Sequence, residues 1–129
     1  MKAVKISLAG RGCFLAFTGE AMFRIRDDYG GVAAVLEAIK PDTREGLAVA
    51  CKTAALLAEQ GELARRHMGY DSGPILDAET IEATITPGEI AALKTAIPAA
   101  FTLGFGRELA DENEEVDVVL LELNQKKTT

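Results

Sequence analysis

The chain has few of the side chains that most often carry catalysis or hold metal ions. His67 is the only histidine, and Ser7 and Ser72 are the only serines. Neither serine stands on a recognisable nucleophile elbow, which argues against a Ser-His-Asp triad. A zinc site needs three or four closely placed ligands, and this composition does not readily supply them. We therefore expect no catalytic residues, no metal site, no cofactor and no enzymatic activity.

Cysteines, long apolar runs and phosphate-binding motifs are also scarce. Cys13 and Cys51 are separated by 37 residues, without the clustered spacing of a disulfide framework. Because free cysteine behaves as a small hydrophobe, we expect both to be reduced and packed in the core. Gly10-x-Gly12 is too short for a dinucleotide fingerprint. No apolar run approaches the roughly 18 residues of a membrane span, and no secretory leader opens the chain, so we expect a soluble, cytosolic protein.

Basic residues are fewer than acidic ones, and the imbalance lies mostly in the last part of the chain. The chain has 14 Lys and Arg against 20 Asp and Glu, for a formal net charge of −6. Residues 1–107 hold 12 basic and 13 acidic side chains, whereas residues 108–129 hold two lysines and seven acids. Such a charge distribution lacks the basic footprint of nucleic-acid binding, which favours protein partners. We expect one globular domain over 1–107 and a weakly ordered acidic tail over 108–129, whose apolar patch is 118–123.

The first 17 residues are predicted to form a β-hairpin. Val4, Ile6 and Leu8 alternate with Lys5 and Ser7, which is the period of a half-buried strand. The same spacing of two resumes at Cys13, Leu15 and Phe17. Gly10-Arg11-Gly12 supplies the turn residues between them. A lone hairpin is only marginally stable, so the hairpin over residues 3–17 must pack on the helices that follow it.

Four to five helices are predicted after the hairpin, giving an α+β fold that is mainly α. Thr18 is a candidate N-cap, Gly30-Gly31 a helix end, and Pro41 a helix stop. An Asp42-x-x-Glu45 box opens the longest helix, which we expect to continue past Gly61. The remaining signals are Asp77 before a short helix and the Thr86-Pro87-Gly88-Glu89 helix start. Joint burial is expected for Leu47, Ala50, Leu57, Ile90, Leu93 and Ile97.

Two groups of residues are candidate contacts for a protein partner. Phe101, Leu103 and Phe105 give the last helix more apolar side chains than one buried stripe requires, which leaves room for an interaction surface. Arg65 and Arg66 form a basic pair that could meet a carboxylate on a partner or within this chain; the alternative is a polar helix end, where cations favour the dipole.

Three segments of the sequence form recognisable motifs: ELARRHMGYDSGPIL, with ARRxMGYDxGP as its core pattern, TPGEIAALKTAI and GFGRELADENEEVDVVLLELNQKK. Together with the order of the predicted elements, these motifs resemble the tail assembly chaperones of long-tailed bacteriophages and prophages. The resemblance spans nearly the whole chain. It implies a non-enzymatic protein of the host cytoplasm, absent from the mature virion.

The resemblance also implies partners. Chaperones of this family coat the tape measure protein and keep it soluble while tail tube subunits polymerise, so the tape measure protein is the expected partner and the tail tube protein a second one. The family commonly makes a longer, frameshifted product, with which Lys126-Lys127 is compatible. A homo-oligomer or a hetero-assembly with that product is therefore a further expectation.

Two other classes of protein remain as alternatives. One is a structural tail or head-tail connector protein, which would persist in purified particles. The other is a small regulatory DNA-binding protein with a helix-turn-helix, against which the net charge of −6 argues.

Overall fold

The described part of the chain contains a three-stranded antiparallel sheet. The computed structural model describes residues 2–107 and, for the backbone alone, 115–117. β1 (Lys2–Leu8) pairs with β2 (Arg11–Leu15) on one edge and with β3 (Glu115–Asp117) on the other, giving the order β2-β1-β3. β3 lies in the region that the sequence assigned to the acidic tail, so part of that region is paired with the N-terminal strand.

The hairpin turn lies one residue earlier than the sequence predicted. Leu8 pairs with Arg11, so the turn consists of Ala9 and Gly10, whose φ angles of 52° and 73° are both positive. Two positive φ angles are the pattern of the type I′ turn, whose twist matches the twist of the strands. β2 consequently begins at Arg11 and ends at Leu15, two residues before the predicted end.

Two short helices follow the hairpin, as predicted. In α1 (Gly19–Tyr29), the Ala21 N–H donates to Thr18 Oγ1 at 3.2 Å, and Gly30 closes the helix with a φ of 90°. α2 spans Val32–Ile39. The caps at both ends of α1 are therefore the ones that the sequence indicated.

The longest helix begins with a different cap from the one predicted. α3 (Arg44–His67) is capped by Thr43, whose Oγ1 accepts from the Gly46 N–H at 3.0 Å. Asp42 instead accepts a hydrogen bond from Lys94 Nζ. α3 continues through Gly61, as predicted.

The last two helices begin at the predicted signals. α4 (Ala78–Thr84) is capped by Asp77, and α5 (Pro87–Gly104) begins with a complete capping box formed by Thr86 and Glu89. α3 and α5 are the helices that pack on the hairpin. The chain thus has the predicted fold class, α+β and mainly α, with the N-terminal hairpin against the helices.

The core lies between the hairpin and these helices. Ala50, Leu57, Leu93 and Ile97 are buried as predicted, together with Leu8, Leu15, Ile25, Val35 and Ile81. Leu47 and Ile90 are only half-buried. Among residues 2–107 and 115–117, no helix combines the length and apolar character that crossing a membrane requires.

Candidate functional site

The predicted apolar contact residues of α5 divide between core and surface. Phe101 and Leu103 are 3% and 6% exposed, whereas Phe105 is 53% exposed. Phe17 packs edge-on against both phenylalanines, with ring centroids 4.8 Å from Phe101 and 5.3 Å from Phe105. Phe101 and Leu103 are therefore not exposed as expected, because both pack in the core, where Phe17 contacts Phe101. Phe105 alone remains available to a partner.

The basic pair Arg65-Arg66 is held by a carboxylate of the same helix. Arg65 Nη1 donates to Glu62 Oε1 at 2.6 Å, and Arg66 Nε donates to Glu62 Oε2 at 3.0 Å. The carboxylate that the arginine pair contacts therefore lies within the chain, on Glu62 of the same helix. The sequence analysis did not single out Glu62, although its spacing of three and four residues from the arginines is that of helix ion pairs.

Glu62 also anchors the loop between α3 and α4. The Gly73 N–H donates to Glu62 Oε2 at 2.7 Å, and Arg66 Nη2 donates to the Gly73 carbonyl at 2.8 Å. Arg65 reaches the Asp71 carbonyl at 3.4 Å, and its guanidinium lies 5.9 Å from the ring centre of Tyr70. The ARRxMGYDxGP pattern therefore encodes a folded helix end and loop.

The electrostatics of this cluster favour an ionised Glu62. The side chain is buried, at 9% exposure, and burial raises the pKa of a carboxyl group. The Gly73 N–H and the guanidinium groups of Arg65 and Arg66 outweigh burial and leave the pKa of Glu62 below its ordinary value. A carboxylate that accepts from three donors is a structural anchor, since three of its roughly four lone-pair sites are already engaged.

The two cysteines are placed for packing. Both thiols are free. Burial raises the pKa of the Cys13 thiol, and burial raises the pKa of Cys51 to about 11. Since the thiolate is the reactive form of cysteine, neither thiol is activated as a nucleophile. His67, the last residue of α3, is exposed, and no group of three or more His, Cys, Asp or Glu within the described ranges could hold a metal ion.

An apolar groove runs between α2, the start of α3 and α5. It consists of two neighbouring cavities of about 320 and 400 Å³, which share Ile39 and Lys94 as lining residues. Its apolar lining residues include Leu36, Ile39, Leu47, Ala50, Ile90 and Pro98. Leu47 and Ile90, which the sequence analysis assigned to the core, are thus half-buried because they form its wall.

One charged side chain crosses this groove. Lys94 Nζ donates to the Lys40 carbonyl at 3.1 Å and to the carboxylate of Asp42, which is exposed. This contact holds the pKa of Asp42 below its ordinary value, through the hydrogen bond and the positive charge of Lys94. The groove therefore combines apolar walls with several charged lining residues, among which Lys94 pairs with an exposed carboxylate.

Comparisons of the chain with protein-family models, curated proteins and solved structures gave no match.

Proposed function

We propose that the protein is a non-enzymatic tail assembly chaperone, which binds the tape measure protein and keeps it soluble while the tail tube assembles. The observation that carries the proposal is the apolar groove between α2, α3 and α5. The resemblance of the sequence motifs to this family supplies the identity of the partner. In this proposal the protein acts in the host cytoplasm and is absent from the finished virion.

The groove suits a long amphipathic helix. Helix-in-groove recognition places side chains at positions i, i+3, i+4 and i+7 of one partner into an apolar channel of the other. The two cavities that share Ile39 are neighbours along such a channel. A long helical partner can engage many copies of a small chaperone in this way, each copy covering a short stretch of its apolar face.

Lys94 provides a polar contact inside the same groove. Its present acceptors are an exposed carboxylate, Asp42, and a backbone carbonyl. A carboxylate on the partner helix would exchange with Asp42 for the ammonium group, so that apolar contact and charge pairing fix one register of the helix. Charged pairs of this kind contribute specificity more than affinity.

Copurification with the tape measure protein tests the proposal. The chain is coexpressed with a tape measure protein, and Leu36→Asp is compared with Leu63→Asp. Leu36 lines the groove, whereas Leu63 is an exposed leucine of α3 that lines neither cavity. We expect at least about tenfold weaker capture for Leu36→Asp, since truncating a central interface contact costs about 2 kcal/mol or more, and wild-type capture for Leu63→Asp.

Thermal unfolding of both variants provides the folding control. If Leu36→Asp unfolds near the wild-type temperature and still captures the tape measure protein fully, the groove is not the binding site. Mass spectrometry of purified virions distinguishes a tail assembly chaperone from a structural tail or connector protein. A chaperone is absent from the particles, whereas a structural protein is present in them.

A further inference from the structure

A second cleft, distinct from the apolar groove, lies between the hairpin, the C-terminal half of α3 and the loop that Glu62 anchors. Its volume is about 340 Å³. Lys5 and Arg11 contribute from the two strands, and Arg65 from α3. A Cβ at Gly12 would lie 3.8 Å from Lys5 Cε, so the lysine stem extends over the backbone of β2. Three cationic side chains therefore converge on one cleft.

The positive charge of this cleft is only partly balanced. Glu62 is its one acidic lining residue, and the two arginines of α3 already pair with it. Lys5 and Arg11 are exposed, and neither takes part in an ion pair within the described part of the chain. The lining of the cleft thus includes two exposed cations for which residues 2–107 supply no counter-ion.

The cleft also has apolar walls. Phe14, Ala58 and Leu76 contribute to its lining. A fitting ligand therefore has apolar side chains for these walls and carboxylates for Lys5 and Arg11. An acidic and apolar peptide segment has this chemistry.

The chain itself contains such a segment. Residues 117–123 read Asp-Val-Val-Leu-Leu-Glu-Leu, five apolar residues with one acid near each end; the segment from 118 onward lies outside the described residues. We propose that residues 117–123 of one copy of the protein bind in the Lys5/Arg11 cleft of a second copy. This contact goes beyond the proposed function and does not depend on it.

The direction of β3 favours a second copy over the same chain. Asp117 lies opposite Lys2, and Glu115 lies opposite Val4. The chain therefore leaves the sheet at the end away from the hairpin turn and on the edge away from β2. The cleft lies on the β2 side, where Leu8 pairs with Arg11. Because the cleft of the same chain lies across the sheet from this exit point, we assign the contact to a second copy.

The resulting assembly is head-to-tail. The cleft and the segment are different surfaces, so the contact is heterologous and generates rings or open chains, according to whether the rotation closes. Each copy uses its cleft once and its segment once. The groove between α2, α3 and α5 is left free.

Charge exchange between full-length variants tests this contact. The first variant carries Lys5→Glu and Arg11→Glu, and the second carries Asp117→Lys and Glu122→Lys. Sedimentation velocity at low ionic strength measures the association of each. We expect wild-type protein to associate with rising concentration, and each variant to associate at least about tenfold more weakly, as for reversal of close interfacial charges.

Mixing the two variants is the decisive measurement. Each then offers the other a complementary cleft and a complementary segment, so association should return to nearly the wild-type level. An Arg26→Glu and Lys52→Glu variant is the matched control, since these exposed cations lie outside the cleft and should leave association unchanged.

Three results would overturn the contact. One is a wild-type protein that remains monomeric, which includes binding of the segment within its own chain. Another is a mixture that associates no better than its components. The third is a control variant that weakens association as much as the cleft variant does. Thermal unfolding verifies that each variant is folded, and the segment variant leaves the hairpin side chains intact.

Discussion

At the scale of single residues, the packing role of a glycine depends on tertiary contacts that the periodicity of the sequence does not show. Gly61 interrupts the periodic sequence of α3, where a single glycine costs only about 1 kcal/mol by helix propensity. The structure gives it a packing role, since a Cβ there would overlap the Phe14 carbonyl. Close by, the Ala16 N–H donates to the Leu57 carbonyl at 3.0 Å. The absence of a side chain at Gly61 thus lets β2 approach the helix.

The first prediction compares two glycines in helices. Gly61→Ala should destabilise the protein by about 1–3 kcal/mol, the usual cost of overpacking, despite the better helix propensity of alanine. Gly88→Ala is the control, because a Cβ there meets nothing closer than Thr86 Oγ1 at 4.0 Å. It should be neutral or stabilise by about 0.4–1 kcal/mol. Urea unfolding of both variants measures the difference, and equal stabilities would contradict the packing role of Gly61.

The residues of α5 show the same limit of sequence reasoning. The many apolar side chains of this helix indicate that more than one of its faces is covered. Phe101 and Leu103 are covered by other parts of the same protein. Phe17, two residues beyond β2, contacts Phe101, and helical spacing within α5 contains no information about that distant residue. Leu103→Asp would consequently test the core and not an interface.

At the scale of elements, local chemistry predicted most of the helix boundaries. Thr18, Asp77 and the Thr86 capping box act where the sequence indicated. Asp42 was assigned the wrong role, because Lys94 of α5 engages the aspartate and the adjacent Thr43, also a favoured N-cap residue, caps the helix instead. β3 was missed, since a three-residue strand depends on its pairing with β1 and has little signal of its own.

The second prediction concerns the link between α3 and the following loop. Glu62→Gln preserves shape but removes the charge that two arginines and the Gly73 N–H engage. We expect a loss of about 1–3 kcal/mol, the range for breaking a buried hydrogen-bonded group, and faster amide exchange at Gly73. Glu82→Gln, at an exposed position of α4, should have little effect on either quantity. Unchanged exchange at Gly73 would show that the loop is held by other contacts.

The difference in stability between wild type and Glu62→Gln should depend on pH, because the pKa of Glu62 is lowered. A carboxyl whose pKa is lower in the folded state stabilises the fold above its unfolded pKa, about 4.3 for glutamate. This contribution is lost as the pH falls from that value through the folded pKa. The stability gap between wild type and Glu62→Gln should therefore be full at pH 7 and shrink on acidification below about 4.3. A gap that stays constant in acid would contradict this role of the ionised carboxylate.

At the scale of the whole molecule, the sequence predicts the fold class better than the candidate site. Alternation in the hairpin and helical periodicity are local signals, so the α+β arrangement follows from them. The groove is formed by α2, α3 and α5 together, and its walls include Leu47 and Ile90, whose spacing alone marks them as core residues. Only tertiary packing determines that α2 and α5 leave these two side chains half-covered.

The last prediction joins the groove to the stability of the whole molecule. A partner that binds only the folded state stabilises it by about 2.7 kcal/mol at one hundred times its dissociation constant. For a chain of 129 residues, this corresponds to a rise in Tm on the order of 10 °C. A helical fragment of the tape measure protein should produce that shift with wild type and with Leu63→Asp. Leu36→Asp should lose most of the shift, measured from its own unliganded Tm, because Leu36 packs against the core and its replacement also lowers stability. Differential scanning calorimetry measures both quantities, and a full shift for Leu36→Asp would place the binding surface elsewhere on the molecule.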